Sequence, residues 1–153
     1  MTTAPTLTGQ DIGQAEKATR AVLDTLLART ATTFHRWVAL NLTATGGGRV
    51  ERGAVVRRMA FALKIEQAAA SAAVDELVEL GLAAASGDQI VLTPAGTARF
   101  EEIRDGIAVI TERLYGGLPV EDLVTAHRVL AVVTERANAE LARLGATRPS
   151  GRP

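Results

Sequence analysis

The chain has 153 residues, with 17 basic and 17 acidic side chains balancing to zero formal charge, and no cysteine. That length suits one ordinary domain, or a small domain with a dimerisation extension, and is enough to bury a real core. Charge balance removes any bulk attraction to nucleic acid or acidic lipid, so such binding must come from local patches, and the lack of cysteine excludes disulfides, thiolate catalysis, thiolate metal sites and thiol redox sensing.

The opening MTTAPTLTGQ holds neither a basic leader nor an apolar run, and no apolar stretch approaches the ~20 residues that span a bilayer. A cytoplasmic chain with no membrane partner is expected. Residues 1–10 are expected to form a disordered arm, since Thr, Pro and Gly there bury nothing. A helix is predicted over 11–29, where Ile12, Ala15, Val22, Leu23, Leu26 and Leu27 form an apolar stripe. A second helix is predicted over 33–43, burying Phe34, Trp37, Val38 and Leu42. Thr45-Gly46-Gly47-Gly48 reads as a loop. A third helix is predicted from Glu51 to Leu63, with Val55, Met59 and Leu63 at spacing four, and Lys64-Ile65 as the turn that follows.

The next stretch, 66–96, reads as helix, hairpin, helix. Ala70, Ala73, Val74 and Leu77 recur at helical spacing, and Gly81 sits where a left-handed C-cap is wanted. Residues 82–85 and 89–92 flank Ser86-Gly87-Asp88 as a hairpin. Thr93-Pro94 starts a further helix, because a Thr hydroxyl can cap and Pro in the first turn forfeits no hydrogen bond. That helix runs to about Tyr115 and ends at Gly116-Gly117. Pro119 opens the last one, in which Leu123, Leu130, Ala137 and Leu144 recur at sevens, with Val133 and Leu141 between. Such a repeat marks a long seam against other helices, either within the chain or across a dimer. The dimer is the expectation, because the terminal helices are long relative to the small domain. The tail, 146–153, is expected to be disordered.

Helix, two-stranded wing, helix is the back half of a winged helix-turn-helix, and its residues resemble the multiple-antibiotic-resistance regulator (MarR) family. Ile65, Ala70, Ala73, Val74 and Leu77 fill the apolar slots of that family's recognition helix. Gly81-Leu82 matches its Gly-Leu step, and Leu-Thr-Pro-Ala-Gly at 92–96 follows the wing as it does in family members. The resemblance implies a mainly α fold with a small β-hairpin wing and a single domain over 11–145. Within it, 33–96 would be the winged helix-turn-helix, 94–116 a linking helix, and 11–30 with 119–145 the terminal dimerisation helices. It also implies a homodimeric, ligand-responsive transcription regulator that binds duplex DNA, with an effector lodged between the dimerisation helices and the winged domain.

Base reading in a major groove falls mainly to Arg, Lys, Asn and Gln. The polar face of the predicted recognition helix carries Glu66, Gln67, Ala68, Ala69, Ser71, Ala72, Asp75 and Glu76, of which Gln67 and Ser71 are the plausible readers. Over residues 49–80 the five cations, Arg49, Arg52, Arg57, Arg58 and Lys64, meet five acidic residues, where DNA-binding modules normally carry a basic footprint. Arg49 and Arg52 are placed to meet the DNA backbone from the loop. Arg57 and Arg58 are adjacent and point roughly 100° apart. In the wing, the family's Asp-x-Arg is represented by Asp88-Gln89-Ile90, so the motif's Arg is missing at Ile90 and Gln89 is the polar side chain left to meet DNA. These residues are the candidate DNA contacts.

His35-Arg36-Trp37 is the most unusual local cluster in a chain with one Trp and two His. Phe34, His35 and Trp37 are the candidate walls of an effector pocket for a small hydrophobic or aromatic molecule. Equally, Phe34 and Trp37 are the kind of large aromatics that bury for packing. His127 lies beside the last helix's seam, far from His35, so metal-ligand spacing is absent. No phosphate loop, dinucleotide fingerprint or nucleophile elbow occurs, and no cofactor is expected. Two other readings stay open. One is a repurposed winged-helix protein that binds or transforms a hydrophobic metabolite without DNA, with His35 and a carboxylate as an acid–base pair. The other is an interaction module whose Ala-rich helix packs on a partner.

Overall fold

The computed structural model describes residues 3–146. The expected tail, from Thr147 on, and the first two residues of the expected arm lie outside the described residues. Six helices and three strands follow in order: α1 Gly9–Ala28, α2 Phe34–Thr45, β1 Arg49–Glu51, α3 Arg52–Leu63, α4 Gln67–Glu79, β2 Ala83–Ser86, β3 Gln89–Leu92, α5 Pro94–Tyr115 and α6 Val120–Ala146. Two compact units divide the chain, Met1–Ile110 and Thr111–Pro153.

In the first unit, α1 takes in Gly9 and Gln10, which the sequence assigns to the arm. A capping box causes this: the Asp11 amide donates to Thr8 Oγ1 at 3.3 Å and the Thr8 amide donates to Asp11 Oδ2 at 2.7 Å. Two otherwise orphan amides are satisfied at once, and the Thr8 hydroxyl, which donates to Asp11 Oδ2 at 2.7 Å, together with the Thr8 amide holds the Asp11 carboxyl below the usual carboxylate range. Thr33 caps α2 in the simpler way, accepting from the Arg36 amide at 3.3 Å.

The larger correction lies at 49–51. A loop running into a helix at Glu51 is expected there, but Arg49-Val50-Glu51 is a strand. It pairs antiparallel with β3 in the register Arg49↔Val91, Val50↔Ile90 and Glu51↔Gln89, so the wing is a three-stranded sheet in the order β1-β3-β2. Gly48 makes the turn possible. Its φ of 82° is a conformation that only glycine adopts freely, and its carbonyl accepts the Leu92 amide at 2.8 Å, laying the next residues along β3. The hairpin itself sits close to expectation, its first strand shifted by one residue to Ala83–Ser86.

The core of this unit gathers Leu27 of α1, Leu40 of α2, Met59 of α3, Val74 and Leu77 of α4, Ile90 of β3 and Ile103 of α5, all essentially inaccessible to solvent. Each such side chain contributes about 1.5–3 kcal/mol by leaving water, so α4 is fixed chiefly by its apolar stripe. Thr93 then joins the sheet to α5. Its Oγ1 accepts the Gly96 amide at 3.1 Å and donates to the Gly81 carbonyl at 2.6 Å, while its own amide donates to the Leu82 carbonyl at 3.1 Å. Leu-Thr-Pro-Ala-Gly is therefore a clamp between the end of α4 and the start of α5.

The second unit holds the end of α5 and the long helix α6. Leu130, Val133, Leu141 and Leu144 of α6 are 41%, 41%, 54% and 51% exposed, so an apolar face of this helix lies open over 130–144. Among the described residues no helix is long and apolar enough to cross a membrane.

Candidate nucleic-acid interface

Helices α3 and α4 are joined by Lys64, Ile65 and Glu66, the short connection of a helix-turn-helix. Lys64 caps α3 in the left-handed conformation, with φ 55°, and its Nζ folds back to donate to the Phe61 carbonyl at 2.7 Å while lying 4.1 Å from the Phe61 ring centre. The apolar stripe of α4 behaves as its spacing predicts, with Ala70, Ala73, Val74 and Leu77 buried. Gln67, Ala68, Ala72 and Asp75 are exposed on the same helix, and Ser71 is half-buried.

Two arginines grip α4 from its neighbours. Arg52, in the first turn of α3, donates through Nη2 to Ser71 Oγ at 2.8 Å, to the Ser71 carbonyl at 3.2 Å and to Asp75 Oδ1 at 2.8 Å. Arg36, in α2, donates through Nε to Glu76 Oε2 at 2.6 Å and through Nη1 to the Ala31 carbonyl at 3.2 Å. Partly exposed pairs of this kind contribute little stability, about 0–1 kcal/mol each. Their effect is geometric: they fix the helix's rotation and neutralise the two carboxylates on its flanks.

The other candidate contacts are dispersed. Arg49 lies in β1 rather than a loop and donates to Gln89 Oε1 at 3.0 Å across the β1–β3 ladder, so both side chains sit on the wing. Arg52 likewise belongs to a helix, and its amide donates to the Asp88 carbonyl at 2.9 Å, tying α3 to the wing's turn. Arg57 makes a long, exposed pair with Glu51 at 3.6 Å, and exposed Arg58 has no ion pair among the described residues. The structure thus brings Arg52 and Ser71 together, and Arg49 with Gln89, but leaves Gln67, Arg57, Arg58 and Lys64 without mutual contact. The pairing of Arg52 with Asp75 was invisible in the sequence, where 23 residues separate the two.

The candidate pocket residues separate as well. Trp37 is 9% exposed and stacks on Phe100 of α5, with ring centres 5.8 Å apart and planes 13° from parallel. Phe34 is half-buried beneath the Arg20 guanidinium, which lies 3.0 Å from its ring centre. Both aromatics therefore pack against side chains of their own unit. His35 lines an open cavity of about 330 Å³ between α2 and α4, with Thr33, Arg36, Ala69, Ala72 and Glu76 among its walls. The His35-Arg36-Trp37 cluster drew attention to this region in the sequence, but the pairing of Arg36 with Glu76 beside the cavity was missed.

No protein-family model matches the sequence, and no curated protein does. Solved structures do match. A MarR family transcriptional regulator from Silicibacter pomeroyi superposes with a TM-score of 0.71 at 23% identity, covering 86% of this chain and 90% of the other. A MarR protein from Peptoclostridium difficile gives 0.72 at 13% identity, covering 94% and 99%. Bordetella bronchiseptica BpsR, studied for regulation of its DNA binding by 6-hydroxynicotinic acid, gives 0.67 at 22% identity, covering 86% and 98%. With its helix-turn-helix, three-stranded wing and these superpositions, the chain has the winged-helix fold of the MarR-type transcription regulators.

Proposed function

We propose that this protein is a homodimeric, DNA-binding transcriptional regulator whose grip on its operator responds to a small aromatic ligand. One observation carries the reading. The first turn and outer face of α4 are solvent-exposed, and the start of the preceding helix is tied to the wing's turn through the Arg52 amide and the Asp88 carbonyl. A helix held this way can enter a major groove by its N-terminal end while the wing and α3 meet the backbone. Gln67 would lie at the bases. Arg57, Arg58 and Lys64, with the Arg49–Gln89 pair on the wing, would lie at phosphates. Two copies joined through α1 and α6 would place two recognition helices about one DNA turn apart, ~34 Å.

The effector reading is supported by the α2–α4 cavity, which at about 330 Å³ falls at the small end of ligand sites, a size suited to one ring. His35 and Arg36 in its wall would favour an aromatic acid. A molecule there would press on α4 and compete with Glu76 for Arg36, altering the helix that meets DNA. His35→Ala should weaken binding of such acids about tenfold, ~1.4 kcal/mol, while leaving the ligand-free affinity for DNA unchanged. Titration calorimetry against a panel of small aromatic acids reads this directly, and equal affinities for both proteins would remove His35 from the site.

A second reading has its own observation: α4 presents no cation on its outer face, and Arg52 is turned inward to Ser71 and Asp75. A winged-helix protein that handles a hydrophobic metabolite without DNA would look the same. Fluorescence anisotropy with labelled duplex from upstream of the protein's own gene separates the two. The regulator predicts tight binding that weakens with salt and prefers the native sequence to a scrambled one. Absence of binding at low salt would retire it in favour of the metabolite reading.

A further inference from the structure

Arg52 occupies the place where a phosphate-binding arginine is expected, yet its three side-chain hydrogen bonds among the described residues all run to α4. Ser71 and Asp75 are one helical turn apart, so a single guanidinium nitrogen spans a turn of the recognition helix. The Ser71 carbonyl has a second lone pair available beyond its helical bond, and Arg52 uses it. To reach a phosphate, Arg52 would have to leave a charge-assisted bond to Asp75 and uncover a carboxylate facing DNA. Ser71 is half-buried, and accepting from Arg52 holds its hydroxyl toward α3, leaving it one O–H and one lone pair on the inner side of the helix face.

Few other side chains on that face can read bases. Ala68 and Ala72 carry no polar atom, and Glu66 precedes the first turn, where phosphates would repel it. Gln67 is exposed, lies in the first turn, and its side chain has no hydrogen-bond partner among the described residues. Its carboxamide offers donor and acceptor side by side, the pattern complementary to the N7 and N6 edge of adenine. We propose that Arg52 is a positioning residue that locks the recognition helix through Ser71 and Asp75, and that base identity is read by Gln67, with adenine as its partner.

This inference rests on the DNA-binding reading, and its test keeps the two apart. Full-length wild-type protein, Gln67→Ala, Ser71→Ala, Arg52→Ala and Asp75→Asn are each used to enrich a random duplex pool. The enriched duplexes are then titrated by anisotropy over a range of salt. Wild type should select one A·T pair per half-site, and 7-deazaadenine at that position should weaken it roughly tenfold. Gln67→Ala should lose that position alone and be indifferent to the 7-deaza substitution, and Ser71→Ala should keep the full preference.

Arg52→Ala and Asp75→Asn should blur the preference at every position without changing the slope of log affinity against log salt. Asp75→Asn keeps the shape of the side chain and serves if Arg52→Ala folds poorly. A slope flatter by about 0.9 per subunit in Arg52→Ala would mean a lost phosphate contact and overturn the positioning role. An altered preference in Ser71→Ala, or an unchanged one in Gln67→Ala, would overturn the assignment of the reader. Failure of wild type to enrich any duplex would overturn the regulator reading itself, and this inference with it.

Discussion

Gly96→Ala should lower the thermal midpoint of the protein by about 10 °C, which for a chain of this size corresponds to roughly 3 kcal/mol. A Cβ at this position would stand 1.9 Å from the Leu82 carbonyl oxygen and 2.9 Å from its carbon, both of them backbone atoms that cannot rotate away. The start of α5 would have to lift off the strand lead by more than an ångström. That movement strains the bond from the Thr93 amide to the same carbonyl and the cap from Thr93 Oγ1 to the Gly96 amide. Alanine is intrinsically the better helix former by about 1 kcal/mol, but the overpacking cost, typically 1–3 kcal/mol and more against backbone, outweighs it.

Gly13→Ala is the matched control. It lies within α1 with only the Lys17 Nζ near, at 4.0 Å, so the same substitution should stabilise by about 0.5–1 kcal/mol. Calorimetric melts of the two variants should therefore move in opposite directions. An unchanged midpoint for Gly96→Ala would mean that the close approach at Leu82 is not maintained in solution.

Leu130→Glu with Val133→Glu should convert the proposed homodimer to monomer and weaken operator binding at least a hundredfold. Both positions are two-fifths exposed on α6, so charges there cost the isolated chain little. Across a dimer seam the same charges would be buried and unpaired, which is strongly unfavourable. DNA affinity falls because two linked recognition helices gain about 10²–10⁴ from effective concentration, and a monomer forfeits it. Sedimentation velocity at micromolar protein reads the first effect and anisotropy the second. A variant that still sediments as a dimer would place the interface elsewhere. One that is monomeric but binds DNA as tightly as before would show that each subunit acts alone.

Much of the fold is legible in the sequence because it is encoded locally. The stripe of Ala70, Ala73, Val74 and Leu77 repeats within one or two turns, and a helix needs nothing beyond its own neighbours to align such a face. Thr93-Pro94 and Gly81 mark ends by backbone chemistry that acts over three or four residues, and Gly81 has the left-handed φ of 74° that its position implies. The heptad spacing of the last helix is read in the same way. The strand 49–51 was not legible: three residues are too few to display alternation, and their conformation comes from pairing with residues some 40 positions later.

The site divides along the same line. Residue types alone singled out Gln67 as the candidate reader and showed that α4 lacks cations, since both follow from helical spacing and charge. Only the tertiary structure decided what Arg52, Ser71 and Arg36 do, because each is claimed by a partner on another element: Arg52 by Ser71 and Asp75, Arg36 by Glu76. It also turned Trp37 toward Phe100 and left His35 facing the cavity. A side chain's local neighbours set which face of a helix it occupies. Which long-range partner reaches it first depends on how distant elements pack, and that is fixed by burial of the shared core rather than by any short stretch of sequence.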